Sequence, residues 1–138
     1  MKQLLFIATL FFVQIGMAQN AVKFTTQDYK FGKIKKGVPV NTIFSFKNVS
    51  EKPVVVEFAQ ADCGCTEPEY PKTAIAKGQS ATIKVTYNAA VVGIFKKSVN
   101  VKFANSNQPY ILNIEGEVLD DAAKAKSTVS PKTLKSKT

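Results

Sequence analysis

The chain has 138 residues, 45% of them hydrophobic, and its 19 basic residues against 10 acidic ones give a net charge of +9. It contains no histidine and, because every basic residue is lysine, no arginine. The first absence removes Ser-His-Asp and Cys-His catalysis and any histidine-ligated metal. The second removes the bidentate contacts by which nucleic-acid readers hold bases and phosphates, so the positive charge reads as a solvated lysine surface.

Residues 1–18 read as a secretory signal peptide. Lys2 supplies the positive start, Leu4 to Val13 is an apolar run broken only by Thr9, and Gly16-Met17-Ala18 places small residues before a cleavage point at Gln19. The run is shorter than the about 20 residues of a membrane-crossing helix, and no second run approaches that length. The mature protein is expected to be exported, periplasmic or extracellular, with no membrane span after cleavage.

The first strands fall near Val22–Thr25 and Tyr29–Phe31. Val40–Asn48 then alternates, with Thr42, Phe44 and Phe46 on one side and Ser45 and Lys47 on the other. Val54–Ala59 points Val54, Val56 and Phe58 inward and Glu57 outward. A period of two marks a strand with one buried and one wet face.

Next come the only two cysteines, in Cys63-Gly64-Cys65. In an oxidising compartment neighbouring thiols end as a disulfide, which makes Cys63–Cys65 a disulfide candidate. The ring is very small, the i to i+2 Cα separation is expected near the upper part of the permitted range, and Gly64 lets the backbone bend. A small loop gives little entropic stabilisation, and any strain would leave the bond labile. Three other readings remain open: a soft-metal site, a thiol-redox enzyme, and a free dithiol or intermolecular bridge. Reduced, Cys63 and Cys65 offer two thiolates as metal ligands, which suits Cu(I). Zinc would need Asp62, Glu67 or Glu69, or a second chain, to complete four ligands. A thiol-redox enzyme would want two intervening residues at a helix start, whereas here the flanking carboxylates Asp62 and Glu67 oppose a lowered thiol pKa. Pro68-Glu69-Tyr70-Pro71 follows as an extended loop, either presented for binding or held as a plain connection by Tyr70.

Thr82–Asn88 points Ile83, Val85 and Tyr87 inward. Phe95–Phe103 does the same with Phe95, Val99, Val101 and Phe103, and Tyr110–Val118 with Tyr110, Leu112, Ile114 and Val118. Turn signals at Lys36-Gly37, Asn48 to Pro53, Lys77-Gly78, Val92-Gly93 and Asn105 to Pro109 separate these strands. Short alternating strands without an intervening helix predict an all-β, antiparallel sandwich of about seven strands with a core of phenylalanine, valine and isoleucine. The folded domain spans 19–119. From Asp120 to Thr138 only Val129 and Leu134 are large apolar residues among five lysines, too few to offset the entropy of ordering, so 120–138 reads as a flexible lysine-rich tail.

Several short patterns together resemble a known family. They are Phe31-Gly32-Lys33-Ile34-Lys35-Lys36-Gly37, Phe44-Ser45-Phe46-Lys47-Asn48, Asp62-Cys63-Gly64-Cys65-Thr66 with Pro68, Ile83-Lys84-Val85-Thr86-Tyr87 and Leu112-Asn113-Ile114-Glu115-Gly116-Glu117-Val118. Over residues 24–118 they are similar to the domain-of-unknown-function family 1573. The resemblance implies an exported, immunoglobulin-like sandwich of Gram-negative bacteria, with a pattern related to sandwich modules of sperm- and cilia-associated scaffold proteins. It implies no activity. No catalytic set, phosphate-binding glycine loop or paired carboxylates stand out, so catalytic and cofactor-binding residues are expected to be absent. The expectation is a non-enzymatic binding or scaffolding module for an unknown protein or cell-envelope partner. The alternative is a small Cu(I)-binding or thiol-redox protein built on Cys63 and Cys65. Assembly through an exposed edge strand, with the tail as tether, is a third reading.

Overall fold

A computed structural model describes residues 20–120. The expected signal peptide and residues 121–138 of the expected tail lie outside the described residues. Eight strands follow one another: β1 Val22–Phe24, β2 Asp28–Lys35, β3 Val40–Asn48, β4 Val56–Ala61, β5 Thr66–Glu69, β6 Ser80–Tyr87, β7 Gly93–Phe103 and β8 Tyr110–Leu119. They form two four-stranded sheets, β1-β3-β6-β5 and β2-β8-β7-β4, packed face to face. This is the expected immunoglobulin-like sandwich, with no helix among the described residues. None of these residues forms a helix long and apolar enough to cross a membrane.

The core follows the alternation. Phe44, Phe46, Ile83, Val85, Tyr87, Val99, Val101, Phe103, Leu112, Ile114 and Val118 are buried from both sheets. Aromatic rings divide it into two groups. Phe24, Phe46, Phe103 and Tyr110 pack with centroids 5.2 to 6.4 Å apart at one end. Tyr87 stacks on Phe95 at 4.0 Å towards the other. The Tyr110 hydroxyl donates to the Val22 carbonyl at 3.2 Å, which ties edge strand β1 to the opposite sheet.

Three features depart from the expected pattern. First, Phe58 is 40% exposed instead of buried. A bulge between Val56 and Phe58 adds a residue to β4, so the alternation changes phase and Ala59 and Ala61 face the core. Second, β2 pairs with β8 in parallel. The chain leaves sheet one at Phe24, crosses within three residues and continues along the edge of sheet two in the direction of β8. An edge strand with a solvated face carries no apolar run to betray a parallel neighbour. Third, Thr66–Glu69 is a strand, the eighth, and Pro68 within it disguises it. Proline cannot donate to a ladder, so it is tolerated where a strand has one neighbour, and β5 pairs only with β6.

Two positions hold the frame tightly. Asn48 is fully buried and every polar atom of its amide is used: Nδ2 donates to the carbonyls of Lys52 at 2.8 Å and Ile75 at 2.9 Å, while Oδ1 accepts from Ser50 N and Oγ. Gly116 lies where β8 meets the β2 bulge, and a Cβ there would stand 2.8 Å from the Gly32 carbonyl and 2.9 Å from the Phe95 ring.

Candidate functional site

Strand β4 ends the edge of one sheet and β5 begins the edge of the other, so the chain must cross the open side of the sandwich between Ala61 and Thr66. Asp62 N donates to Ser98 O of β7 at 3.1 Å as the chain leaves β4. Cys63 to Thr66 is a tight turn, closed by Thr66 N donating to Cys63 O at 3.3 Å. Asn88 N then donates to Cys65 O at 3.0 Å and anchors the turn to the end of β6.

Cys63 and Cys65 form a disulfide, S–S 1.98 Å. Their Cα atoms are 5.3 Å apart, in the middle of the range disulfides accept and not near its upper part. The turn itself brings them together. Gly64 lacks a left-handed φ, and open space surrounds its missing Cβ, so it leaves the flank of the disulfide bare instead of relieving a backbone constraint. Thr66 is buried, and its Oγ1 lies 3.7 Å from Cys63 Sγ and 3.8 Å from Cys65 Sγ. Sulfurs joined to each other carry no hydrogen, so the threonine hydroxyl is the donor.

The neighbouring carboxylates turn away. Asp62 Oδ1 accepts from Asn100 Nδ2 at 3.3 Å, Glu69 pairs with Lys84 at 2.9 Å, and Glu67 sits exposed opposite Thr86. Among the described residues no three acidic, cysteine or histidine groups converge as metal ligands. Completion of a zinc site by Asp62, Glu67 or Glu69 therefore has no geometric support, while two cysteine sulfurs remain at one point. Tyr70 packs half-buried against the core with Lys72 Nζ 3.5 Å over its ring, so residues 70–71 connect strands.

Beside the disulfide lies an open cleft of about 360 Å³, lined by Cys65, Tyr87, Val92, Phe95, Lys96 and Lys97 among others. Lys97 stands in phase with Phe95 and Val99 on the inner side of β7, half-buried, and has no ion-pair partner among the described residues. Its aliphatic stem can lie along the apolar wall while the ammonium reaches water. The rim is apolar: Val91 is 74% exposed and Ile94 88%, with Val38 and Val92 each nearly half exposed. Gly37 N donates to Ala89 O at 2.9 Å and Lys36 N to Leu119 O at 3.0 Å, so the β2–β3 turn, the β6–β7 loop and the end of β8 gather at this same end.

Sequence reasoning found Cys63 and Cys65 but missed the apolar rim and Lys97. Both left a trace. Ala89-Ala90-Val91-Val92 is an apolar run in a turn, where solvated residues are usual, and Lys97 breaks the inward alternation of β7.

Residues 22–118 match the family described as protein of unknown function, DUF1573. The chain belongs to that family. The match covers the whole sandwich and includes both cysteines. No curated protein matches the sequence. Among solved structures, a protein of unknown function from Porphyromonas gingivalis W83 superposes with a TM-score of 0.62 at 12% identity, over 72% of this chain and 50% of that one. The family member thus spans half the length of that relative. The ASH / PapD-like domain of human CEP192 superposes with a TM-score of 0.60 at 8% identity, over 72% of this chain and 86% of the domain. A family 123 glycoside hydrolase from Clostridium perfringens gives 0.59 at 12% identity, over 68% of this chain and 23% of the enzyme. At these identities the likeness is one of fold.

Proposed function

We propose that this DUF1573 member is an exported, non-enzymatic module that binds a protein partner of the cell envelope through the disulfide-bearing end of its sandwich. The observation that carries the reading is the contiguous apolar rim of Val38, Val91, Val92 and Ile94 beside the cleft at Cys65. Large apolar side chains clustered at one exposed end cost solvation unless something covers them. Lys36, Lys96 and Lys97 ring the same end, which suits a partner with an apolar anchor and acidic flanks. Export is supported by the charged start, apolar run and small residues of 1–18, and by a disulfide that an oxidising compartment would preserve.

The test is co-purification of the full-length protein from its own cell envelope, with partners identified by mass spectrometry. Val91→Asp with Ile94→Asp is expected to lose a partner that Ile43→Asp, a change at another exposed apolar residue on the outer sheet face, retains. Retention by both variants removes the rim from the reading. A defined turnover abolished by Cys63→Ser removes the non-enzymatic part.

A second reading has one observation in its favour: two sulfurs held at a single point, without a third ligand among the described residues, match the low coordination number of Cu(I). It expects one Cu(I) per reduced protein in competition with a chromogenic chelator, and none in the Cys63→Ser/Cys65→Ser variant.

A further inference from the structure

We propose that the Cys63–Cys65 bond is a thiol-exchange site with a fixed polarity, in which an incoming thiol bonds to Cys63 and Cys65 departs as the thiolate. The two sulfurs have unlike surroundings. Cys65 packs against the core and lines the cleft that Lys97, which has no ion-pair partner among the described residues, also lines. Cys63 lies on the outer arm of the turn, between exposed Asp62 and exposed Gly64, and does not line the cleft.

Exchange requires the attacking, central and leaving sulfurs to stand nearly in line, and it runs faster when the leaving thiolate is better stabilised. A cation and a hydroxyl donor stabilise a thiolate, and an adjacent carboxylate destabilises one. Lys97 shares the cleft with Cys65 and not with Cys63, and Asp62 adjoins Cys63, which sets the two sulfurs apart. The Thr66 hydroxyl lies within reach of both, 3.7 Å from Cys63 Sγ and 3.8 Å from Cys65 Sγ, and can donate to whichever departs. The bare flank at Gly64 leaves the outer sulfur open to approach.

The step balances without an external oxidant. The incoming thiol gives its proton to solvent and its thiolate attacks Cys63 Sγ. A new S–S bond forms to Cys63, the Cys63–Cys65 bond breaks, and the electron pair passes to Cys65 Sγ, where Thr66 Oγ1 donates to it. Return attack by Cys65 on Cys63 expels the thiol and restores the disulfide. The class of co-reactant is any thiol that reaches the turn, from a small thiol peptide to a cysteine on a docked protein. The inference shares only its location with the proposed binding function. Exchange polarity is read with a small thiol alone, docking by co-purification, so either can fail without the other.

The experiment treats the oxidised full-length protein with glutathione at neutral pH, quenches with iodoacetamide and maps the modified peptides. Glutathione on Cys63 with alkyl on Cys65, at least tenfold over the reverse arrangement, is the expected result. Glutathione on Cys65, an even distribution, or no adduct at all overturns the proposal. Lys97→Gln is expected to slow exchange by about three- to tenfold through the poorer leaving thiolate. The single-cysteine variants give a readout that loss of packing would not move. The pH midpoint for alkylation of Cys65 in Cys63→Ser should lie below that of Cys63 in Cys65→Ser, and Lys97→Gln should raise it. A Cys65 midpoint at or above that of Cys63 refutes the assignment.

Discussion

Removing the disulfide distinguishes a structural staple from a chemical site. The bond closes a loop of three residues, since the cysteines are separated by two positions. Loop closure removes entropy from the unfolded chain in proportion to the logarithm of loop length, so this loop is near the minimum. The chain-entropy relation gives about 1.6 kcal/mol for three residues, against about 4.7 kcal/mol for a hundred-residue loop. Packing adds little, because Cys65 is only partly buried and serine retains most of its volume. Main-chain bonds at Thr66 N, Asn88 N and Asp62 N hold the turn without any sulfur. Cys63→Ser/Cys65→Ser should therefore fold and lose about 1 to 2 kcal/mol. In urea denaturation followed by circular dichroism, the midpoint should fall by on the order of 1 M with the slope unchanged. A loss above about 3 kcal/mol, or a changed slope, would show that the disulfide holds the crossover between sheets, and the double variant could not then serve as a functional probe.

Other expectations follow from single contacts. Gly116→Ala puts a methyl group against the Gly32 carbonyl and the Phe95 ring, and should cost about 1 to 3 kcal/mol in thermal or urea unfolding; an unchanged midpoint would mean that the β2 bulge yields freely. Asn48→Ala removes four hydrogen bonds, three that order the β3–β4 loop and one that joins it to Ile75 ahead of β6, with an expected loss of about 2 to 4 kcal/mol by urea titration. Asn48→Asp should be worse at neutral pH, because an oxygen then faces two carbonyls, and should recover as acid protonates the buried carboxyl; a pH-independent defect would contradict this account. Glu115 is held below the usual carboxylate range by its hydrogen bond and attraction to Lys30, which is correspondingly raised. A depressed carboxylate stabilises the fold above its unfolded pKa and loses that contribution as pH falls through the folded value. Wild type should thus lose stability towards acid more steeply than Glu115→Gln, and added salt should narrow the difference; parallel pH profiles would remove the ion pair from consideration.

The sequence announces those parts of the molecule that depend on side-chain period, and hides those that depend on which strand lies beside which. Phe44, Phe46, Ile83, Val85, Val99, Val101 and Phe103 occupy the core because alternation alone determines their face. Phe58 escapes because a single added residue at the β4 bulge reverses the phase, and nothing in Val54 to Ala59 distinguishes a bulged strand from a regular one. Strand β5 escapes because Pro68 contradicts a strand unless the strand is known to be an edge, which is a fact about neighbours. The cysteine pair is legible by composition. Its surroundings are not, because Lys97 and Val92 come to line one cleft with Cys65 only when the crossover folds against the β6–β7 loop. Asn48 illustrates the same limit: it reads as a turn residue, and its bonds to Ser50 and Lys52 are local, while the bond to Ile75 exists only because the fold brings that segment alongside.

The edges of both sheets bear on how the module can associate. An exposed edge invites another strand unless it is short, bulged, charged or interrupted by proline. All four edges carry one of these devices. Strand β1 is three residues long, β4 is bulged at Val56 to Phe58, β5 contains Pro68, and β2 presents Lys30, Lys33 and Lys35. Edge-to-edge assembly is thereby disfavoured on every side, which weakens the reading of a module that joins partners by strand addition. The exposed apolar residues are distributed differently. Ile43, Phe58 and Ile111 are isolated on strand faces, whereas Val38, Val91, Val92 and Ile94 gather at the disulfide end. Single apolar residues on a surface are ordinary, but a cluster next to a cleft needs a reason. With the edges blunted, that end is where association costs least, and it is also where the Cys63–Cys65 disulfide lies.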